Sequence, residues 1–150
     1  MTERVDFYVL KSATAKERWS LACRLTERAY LRDLSVIIVN DSPADAKALD
    51  DLLWTFNERS FIPHDICQDG QPLDAAAKVH VTVLSKVPAA ADLLVNLTTR
   101  LPEYWERCTS VAEIIDADEE RRRLGRERFK AYRDLKVTLE THQLNAAADI

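Results

Sequence analysis

Glycine is scarce in this chain of 150 residues, which contains only two, Gly70 and Gly125. A glycine-rich loop that cradles a phosphate or a dinucleotide needs at least two glycines at a short, fixed spacing. The two glycines lie far apart, so both kinds of loop are excluded. Apolar runs are also short, about five residues at most, whereas a membrane-spanning helix needs about 20. We therefore expect no membrane association.

Cysteine and histidine are nearly as rare. Three cysteines, Cys23, Cys67 and Cys108, are an odd number in a chain long enough to build its own core, so a disulfide framework is not expected. The three histidines are far apart, and no Cys-x-x-Cys or serine-nucleophile motif is present. We expect no catalytic residue, no metal and no cofactor. Because no signal peptide is apparent, we expect a cytoplasmic location.

What the chain does contain is a regular alternation of strands and helices. β-branched and aromatic runs predict strands at 5–10, 36–39, 79–84, 93–97 and 111–115. Thr14 and Glu17 match a capping box for a helix to about residue 32, and Ser42-Pro43 starts a second helix. This alternation predicts an α/β fold. Residues 1–150 are expected to form one domain with a mostly parallel, twisted sheet flanked by helices, and about 143–150 are a candidate for disorder.

The charge is distributed unevenly along the chain. The net charge of −4 argues against a general nucleic-acid-binding protein, since such domains are usually basic. Residues 118–136 nevertheless hold eight Lys or Arg and five Asp or Glu. A basic segment in an otherwise acidic chain indicates one particular anionic partner.

This basic segment is predicted to be a helix with an unusual outer face. At 3.6 residues per turn, four cations and one aromatic ring share a face roughly 100° wide: Arg122, Arg126, Phe129, Lys130 and Arg133. Leu124, Ala131 and Leu135 lie opposite and are expected to pack on the sheet. A face of this kind suits a carboxylate-rich ligand, because Arg donates bidentate hydrogen bonds to carboxylates.

A second candidate surface is aromatic. Phe56 continues the apolar line of the second helix, but Trp54 lies off that line and Phe61 falls in an irregular segment. Aromatic side chains of this kind are enriched at the centres of protein interfaces. The alternative is that they simply cover the edge of the sheet.

Three functional hypotheses remain open on these residues. The basic helix binds an acidic peptide, or it binds single-stranded nucleic acid through its phosphates. In the third, the chain is an α/β enzyme that uses Asp41, at the carboxyl end of a predicted strand. A fourth, structural interpretation is that the basic face is only solvated, with its arginines paired to nearby Glu119, Glu120, Glu127 and Asp134.

The sequence resembles the chi subunit family of the bacterial DNA polymerase III holoenzyme over nearly its whole length. The matching segments are Phe7-Tyr8, 22–25 (ACRL), Ala29-Tyr30, 49–56 (LDDLLWTF), 60–64 (SFIPH) and 125–133 (GRERFKAYR). Their order and spacing make a chance match improbable.

The resemblance implies a non-catalytic replication adaptor with a Rossmann-like topology and no nucleotide site. Such proteins bind the acidic C-terminal tail of single-stranded DNA-binding protein, which ends in a Pro-Phe carboxylate, and the psi subunit of the clamp loader. DNA is reached only indirectly, and in some bacteria a repair helicase competes for the psi surface. The tail-binding positions match Arg122, Arg126, Phe129 and Lys130, with Arg133 on the same face. The psi- or helicase-binding positions match Trp54 and Phe61.

Overall fold

The computed structural model describes residues 2–59, 61–66, 77–83, 90–102 and 104–150. Within these ranges the strands are β1 (Arg4–Leu10), β2 (Val36–Asn40), β3 (Asp65–Ile66), β4 (Val79–Val83), β5 (Leu93–Asn96), β6 (Ser110–Ile115) and β7 (Leu139–Leu144). The α-helices are α1 (Ala15–Leu31), α2 (Pro43–Thr55) and α3 (Glu119–Asp134), and short 3₁₀ helices span Trp105–Arg107 and Ala147–Asp149. No helix among these residues is both long and apolar enough to span a bilayer.

The strands form one sheet in the order β3-β4-β2-β5-β6-β1-β7, and every neighbouring pair is parallel. The predicted α/β class and parallel sheet are confirmed. Helices α1 and α2 cover one face, and α3 covers part of the other.

Strand β2 shows why the sheet needs helices on both sides. Its five residues are all buried. Ile38 packs in the apolar cluster under α1 and α2, whereas Ile37 and Val39 pack in the cluster on the α3 side. A continuous β-branched run is typical of a strand whose two faces are both covered.

Both predicted helix starts are confirmed, but only one of the two predicted side-chain caps forms. Ser42 caps α2 as expected, because its hydroxyl accepts a hydrogen bond of 3.1 Å from the Asp45 N–H. The capping box at Thr14 is wrong. The Thr14 hydroxyl instead lies 3.1 Å from Ser12 Oγ, and the Glu17 carboxylate accepts the Ala147 N–H at 2.8 Å. Glu17 is therefore used in a tertiary contact.

That contact holds the end of the chain, which the sequence leaves as a candidate for disorder. Residues up to Leu144 belong to β7, and Ala147 is buried in the cluster beneath α1. The segment 143–150 therefore has regular structure and defined tertiary contacts.

The end of α3 determines where β7 begins. Lys136 has a φ of 61°, and the Val137 N–H donates to the Tyr132 carbonyl, which closes the helix with a left-handed residue. The turn that follows the helix extends to Thr138. The last strand therefore starts at Leu139.

The predicted packing face of α3 is wrong. Leu135 is 57% exposed, and Leu124 and Ala131 are only partly buried. The residues of α3 that face the sheet are instead Gly125, Arg128 and Tyr132. Two of these three carry polar groups, so a pattern based on hydrophobicity misses the face.

A buried carboxylate on the sheet explains this arrangement. Glu113 in β6 is fully buried and accepts hydrogen bonds from the Arg128 Nε at 3.1 Å, the Tyr132 hydroxyl at 2.8 Å and the Asn96 amide. Arg128 also donates to the Thr99 carbonyl at 3.2 Å. Burial, together with the charge of Glu113, raises the pKa of Tyr132, so its hydroxyl stays protonated and donates. We call Glu113, Arg128, Tyr132 and Asn96 the Glu113 network.

We predict that Glu113→Gln lowers the free energy of unfolding by about 3–5 kcal/mol, because it leaves the buried Arg128 guanidinium without its counter-charge. Urea unfolding followed by circular dichroism measures the change. The matched control is Glu58→Gln, an exposed glutamate whose substitution should stay within about 0.5 kcal/mol of the parent. A Glu113→Gln loss no larger than that of the control would show that the network does not anchor α3.

Candidate functional site

A cavity of about 320 Å³ opens between α3 and the edge of the sheet. Helix α3 lines one side of it with Arg122, Gly125, Arg126 and Phe129. Strands β1, β6 and β7 line the other with Phe7, Val9, Ile115, Thr141 and Gln143. Three of the five residues selected on the helix face thus border one cavity.

The apolar wall of this cavity comes from the sheet. Phe7, Val9 and Ile115 form it, and Phe7 holds Phe129 in an edge-on contact with ring centroids 5.1 Å apart. A helical wheel cannot find these residues, because they belong to strands that are distant in sequence. The signal available in the sequence is the alternation of Phe7 and Val9, which places both on the same face of β1.

Gly125 brings the helix close to this wall. A Cβ atom added at Gly125 would overlap Cδ1 of Ile115, so a larger residue would require the Ile115 side chain to shift. One of the chain's two glycines therefore serves the close approach of helix and sheet.

The cations of α3 divide into two groups. Arg121, Arg123 and Arg128 are paired with Asp116, with Glu120 and Glu127, and with Glu113, respectively. Within the described residues, Arg122, Arg126, Lys130 and Arg133 have no ion-pair partner, and all four are exposed. A fully self-paired face is therefore ruled out for these four side chains, of which Arg122 alone donates a hydrogen bond, to the Asp116 carbonyl. Arg126 borders the cavity, whereas Lys130 and Arg133 lie outside its lining.

The start of α3 is held by a second charged contact. The Arg121 guanidinium donates to both oxygens of Asp116, at 2.8 and 2.7 Å, and Arg122 Nε donates to the Asp116 carbonyl at 3.1 Å. Burial acts to raise the pKa of Asp116, but the hydrogen bonds and charge of Arg121 outweigh burial and hold that pKa below its ordinary value. The pair thus stays charged at neutral pH, and the Asp116 backbone carbonyl holds Arg122 at the rim of the cavity.

The aromatic pair lies in a different place. Trp54 and Phe61 are 47% and 70% exposed, with ring centroids 5.5 Å apart. The His64 ring lies 4.3 Å from the Trp54 ring, and its Nε2 is 2.8 Å from Asp50 Oδ1. We call Trp54 and Phe61 the aromatic surface. Helix α2 packs on β2 and β4, so this surface and the cavity lie toward opposite ends of the sheet.

Two other features of the described residues are candidates for a reactive site, a cluster of side chains that could hold a metal ion and a buried thiol. Asp6, Glu140 and His142 bring ligand atoms within 4.8 Å of one another, but the Arg4 guanidinium already pairs with both carboxylates. Burial raises the pKa of the Cys23 thiol to about 12, so this thiol stays protonated at neutral pH, as expected of an inert core cysteine.

The hypothesis of an enzyme relied on Asp41. This side chain is exposed and accepts a hydrogen bond of 3.3 Å from the Thr99 N–H. The contact ties together the segments that follow β2 and β5. Asp41 thus lies beside the central strands, whereas the cavity lies at one end of the sheet order, beside β1 and β7.

Solved structures with a similar fold belong to larger proteins. The chain superposes on T4 UvsW with a TM-score of 0.66 and 10% sequence identity, covering 95% of this chain and 42% of that one. It superposes on Dbp5 of S. cerevisiae with a TM-score of 0.59 and 12% identity, covering 93% of this chain and 42% of the other. At this level of identity the similarity shows the fold alone.

Sequence comparison gives the family. The profile described as DNA polymerase III chi subunit, HolC, matches residues 1–140. The DNA polymerase III subunit chi of Pseudomonas aeruginosa is 34% identical over 141 residues, which is 94% of this chain and 96% of that protein. The subunit chi of Escherichia coli is 27% identical over 93% of this chain and 97% of its own length. The chain belongs to the DNA polymerase III chi subunit family.

Proposed function

We propose that this chain is a non-catalytic replication adaptor. It binds the acidic C-terminal tail of single-stranded DNA-binding protein and links that protein, through the psi subunit, to the clamp loader of DNA polymerase III. The coarse role, an accessory subunit in replication, follows from the family. The two partners and the residues that bind them are our proposal.

One observation carries the tail-binding part. Three cations whose side chains have neither an ion pair nor a hydrogen bond to any described residue, Arg126, Lys130 and Arg133, lie on the same helix face as a small cavity walled by Phe7 and Phe129. Ligand pockets for small molecules span about 300–1,000 Å³. A cavity of about 320 Å³ is at the small end of that range, which suits one aromatic side chain better than a nucleotide. The terminal Phe of the tail would fill it.

The exposed cations of α3 have different roles in the proposed binding of the tail. The Arg126 guanidinium, at the mouth of the cavity, offers two parallel N–H donors to the terminal carboxylate. Lys130 and Arg133 lie outside the cavity and would attract the aspartates that precede the terminal residue. Exposed charges act over about a Debye length, roughly 8 Å at physiological salt. Their contribution should therefore weaken steeply as salt is added.

The nucleic-acid hypothesis fits this geometry less well. Binding of single strands without sequence preference uses open aromatic platforms on which bases stack. Phe129 is half-buried and held edge-on by Phe7, so its ring is not such a platform. The chain outside residues 118–136 also carries an excess of acidic residues, which would repel a phosphate backbone.

We expect Arg126→Ala to weaken binding of a fluorescent peptide ending in Asp-Asp-Ile-Pro-Phe by at least about tenfold, or about 1.4 kcal/mol. Fluorescence anisotropy measures the dissociation constant, and amidation of the peptide C-terminus should have a similar effect. The matched control is Arg123→Ala, on the same helix, since Arg123 is already paired with Glu120 and Glu127.

Two outcomes would reject tail binding at this site. One is an equal loss of peptide affinity in the Arg126→Ala and Arg123→Ala variants. That result would show that binding depends on the net charge of the helix and not on the position of Arg126. The other is tighter binding of an unstructured oligonucleotide than of the peptide, which would favour the nucleic-acid hypothesis.

The aromatic surface is our proposed contact for the psi subunit, and in bacteria with a competing repair helicase, for that helicase. Its support is the exposure of two large rings that touch each other and are backed by His64. Large exposed aromatic side chains are typical hot spots of protein interfaces.

We predict that Trp54→Ala and Phe61→Ala each weaken binding to purified psi subunit by at least about tenfold, measured by calorimetry. Leu31→Ala is the matched control, because Leu31 is 76% exposed and apolar but lies on α1. Arg126→Ala should leave psi binding unchanged, since the cavity lies toward the other end of the sheet. Unchanged psi binding in both aromatic variants would exclude this surface.

A further inference from the structure

Strand β7 has an open edge beside the cavity. It is the last strand in the sheet order, and among the described residues it pairs only with β1. Thr141 and Gln143, two of its residues, are exposed and line the cavity with their side chains. Whatever occupies the cavity therefore lies against this edge.

The hydrogen bonds to β1 show which backbone groups of β7 remain for a partner. The Val5 N–H donates to the Thr138 carbonyl at 2.9 Å, and the Lys11 N–H donates to the Leu144 carbonyl at 3.2 Å. In a parallel pair, alternate residues direct both backbone groups toward the neighbouring strand. The backbone N–H and C=O groups of the even-numbered residues of β7 thus point toward β1. The N–H and C=O groups of Leu139, Thr141 and Gln143 point away from the sheet.

The charges beside this edge favour an acidic occupant. Arg126 and Arg133 on α3 are unpaired among the described residues, and Lys136 is exposed just before the strand. Glu140 is the acidic side chain within β7, and its carboxylate is matched by Arg4 at 2.9 Å. An acidic strand on this edge would therefore meet unpaired positive charge and no unpaired negative charge within β7.

We propose that the tail peptide adds to the sheet as an extra strand along the edge of β7. The inference rests on the proposed function, and it assigns the occupant as the acidic segment that precedes the terminal residue. The terminal side chain fills the cavity, and the segment before it exchanges backbone hydrogen bonds with Leu139, Thr141 and Gln143. Addition of a strand to an exposed edge is an established mode of peptide recognition. The main chain supplies affinity, so the acidic segment needs no fixed sequence.

The test uses the wild-type chain and the N-acetylated peptide Asp-Asp-Asp-Asp-Ile-Pro-Phe, N-methylated at one backbone amide nitrogen at a time. N-methylation removes one N–H donor and leaves side chains and charge unchanged. Strand addition predicts an alternating pattern along the five residues before proline. Affinity should fall at least about fivefold at positions that face β7, the loss of roughly one hydrogen bond, and stay within about twofold at the positions between them.

Protein variants give a second readout. Thr141→Pro removes the outward N–H at the edge without removing a hydrogen bond to β1. This variant should weaken binding of the unmodified peptide about as much as N-methylation at a position that faces β7 weakens it. Thr141→Val keeps the N–H and the side-chain shape, and should bind as the parent does. The N-methylated series needs no variant, so it decides the question even if Thr141→Pro does not fold.

The outcomes separate the inference from the function beneath it. If affinity is indifferent to all five N-methyl groups while Arg126→Ala still weakens binding, the cavity binds the tail and strand addition is wrong. If the unmodified peptide does not bind the wild-type chain, the proposed function fails and this inference with it. If the chain forms a dimer in the absence of peptide and Thr141→Pro dissociates that dimer, the edge of β7 binds a second copy of the chain. That result would overturn the proposal.

Discussion

The buried carboxylate of Glu113 is the constraint on which the position of α3 depends. A charged group inside a sheet is costly unless it is fully hydrogen-bonded, and two of its donors, Arg128 and Tyr132, come from α3. These donors set the rotation of the helix about its own axis. That rotation leaves Phe129 against Phe7 and directs Arg126 toward the edge of the sheet. The cavity is a consequence of how the network orients the helix.

Ion pairs, of which the one in the Glu113 network is an example, account for the distribution of charge on α3. Its arginines are similar in chemistry, but three of them are engaged by Asp116, by Glu113 or by glutamates of the helix itself. The cations without a partner among the described residues lie on or near the face that borders the cavity. A partner that brings carboxylates to this face therefore does not compete with existing ion pairs. This availability is what distinguishes a docking face from an ordinary charged helix surface.

The sequence predicts this fold well where hydrophobic periodicity governs it, as in β2, and where a capping signal marks a helix start, as at Ser42. It fails where polar residues form the contact. The helical spacing predicts that Leu135 packs against the sheet, whereas the buried positions are Arg128 and Tyr132, because hydrogen bonds to Glu113 outweigh apolar burial there. The basic face could be derived from 3.6-residue spacing, but its apolar wall could not. Phe7 reaches Phe129 only through the tertiary fold, and spacing along the chain carries no such information.

We propose that one site, the cavity between α3 and β7, holds the acidic tail. Titration of the ¹⁵N-labelled chain with the tail peptide, followed residue by residue in ¹H–¹⁵N spectra, measures where the peptide binds. Binding in the cavity predicts that the largest shifts cluster at Gly125, Phe129 and Thr141, while the indole resonance of Trp54 does not move. Shifts spread over all exposed cations, or centred on the aromatic surface, would contradict it.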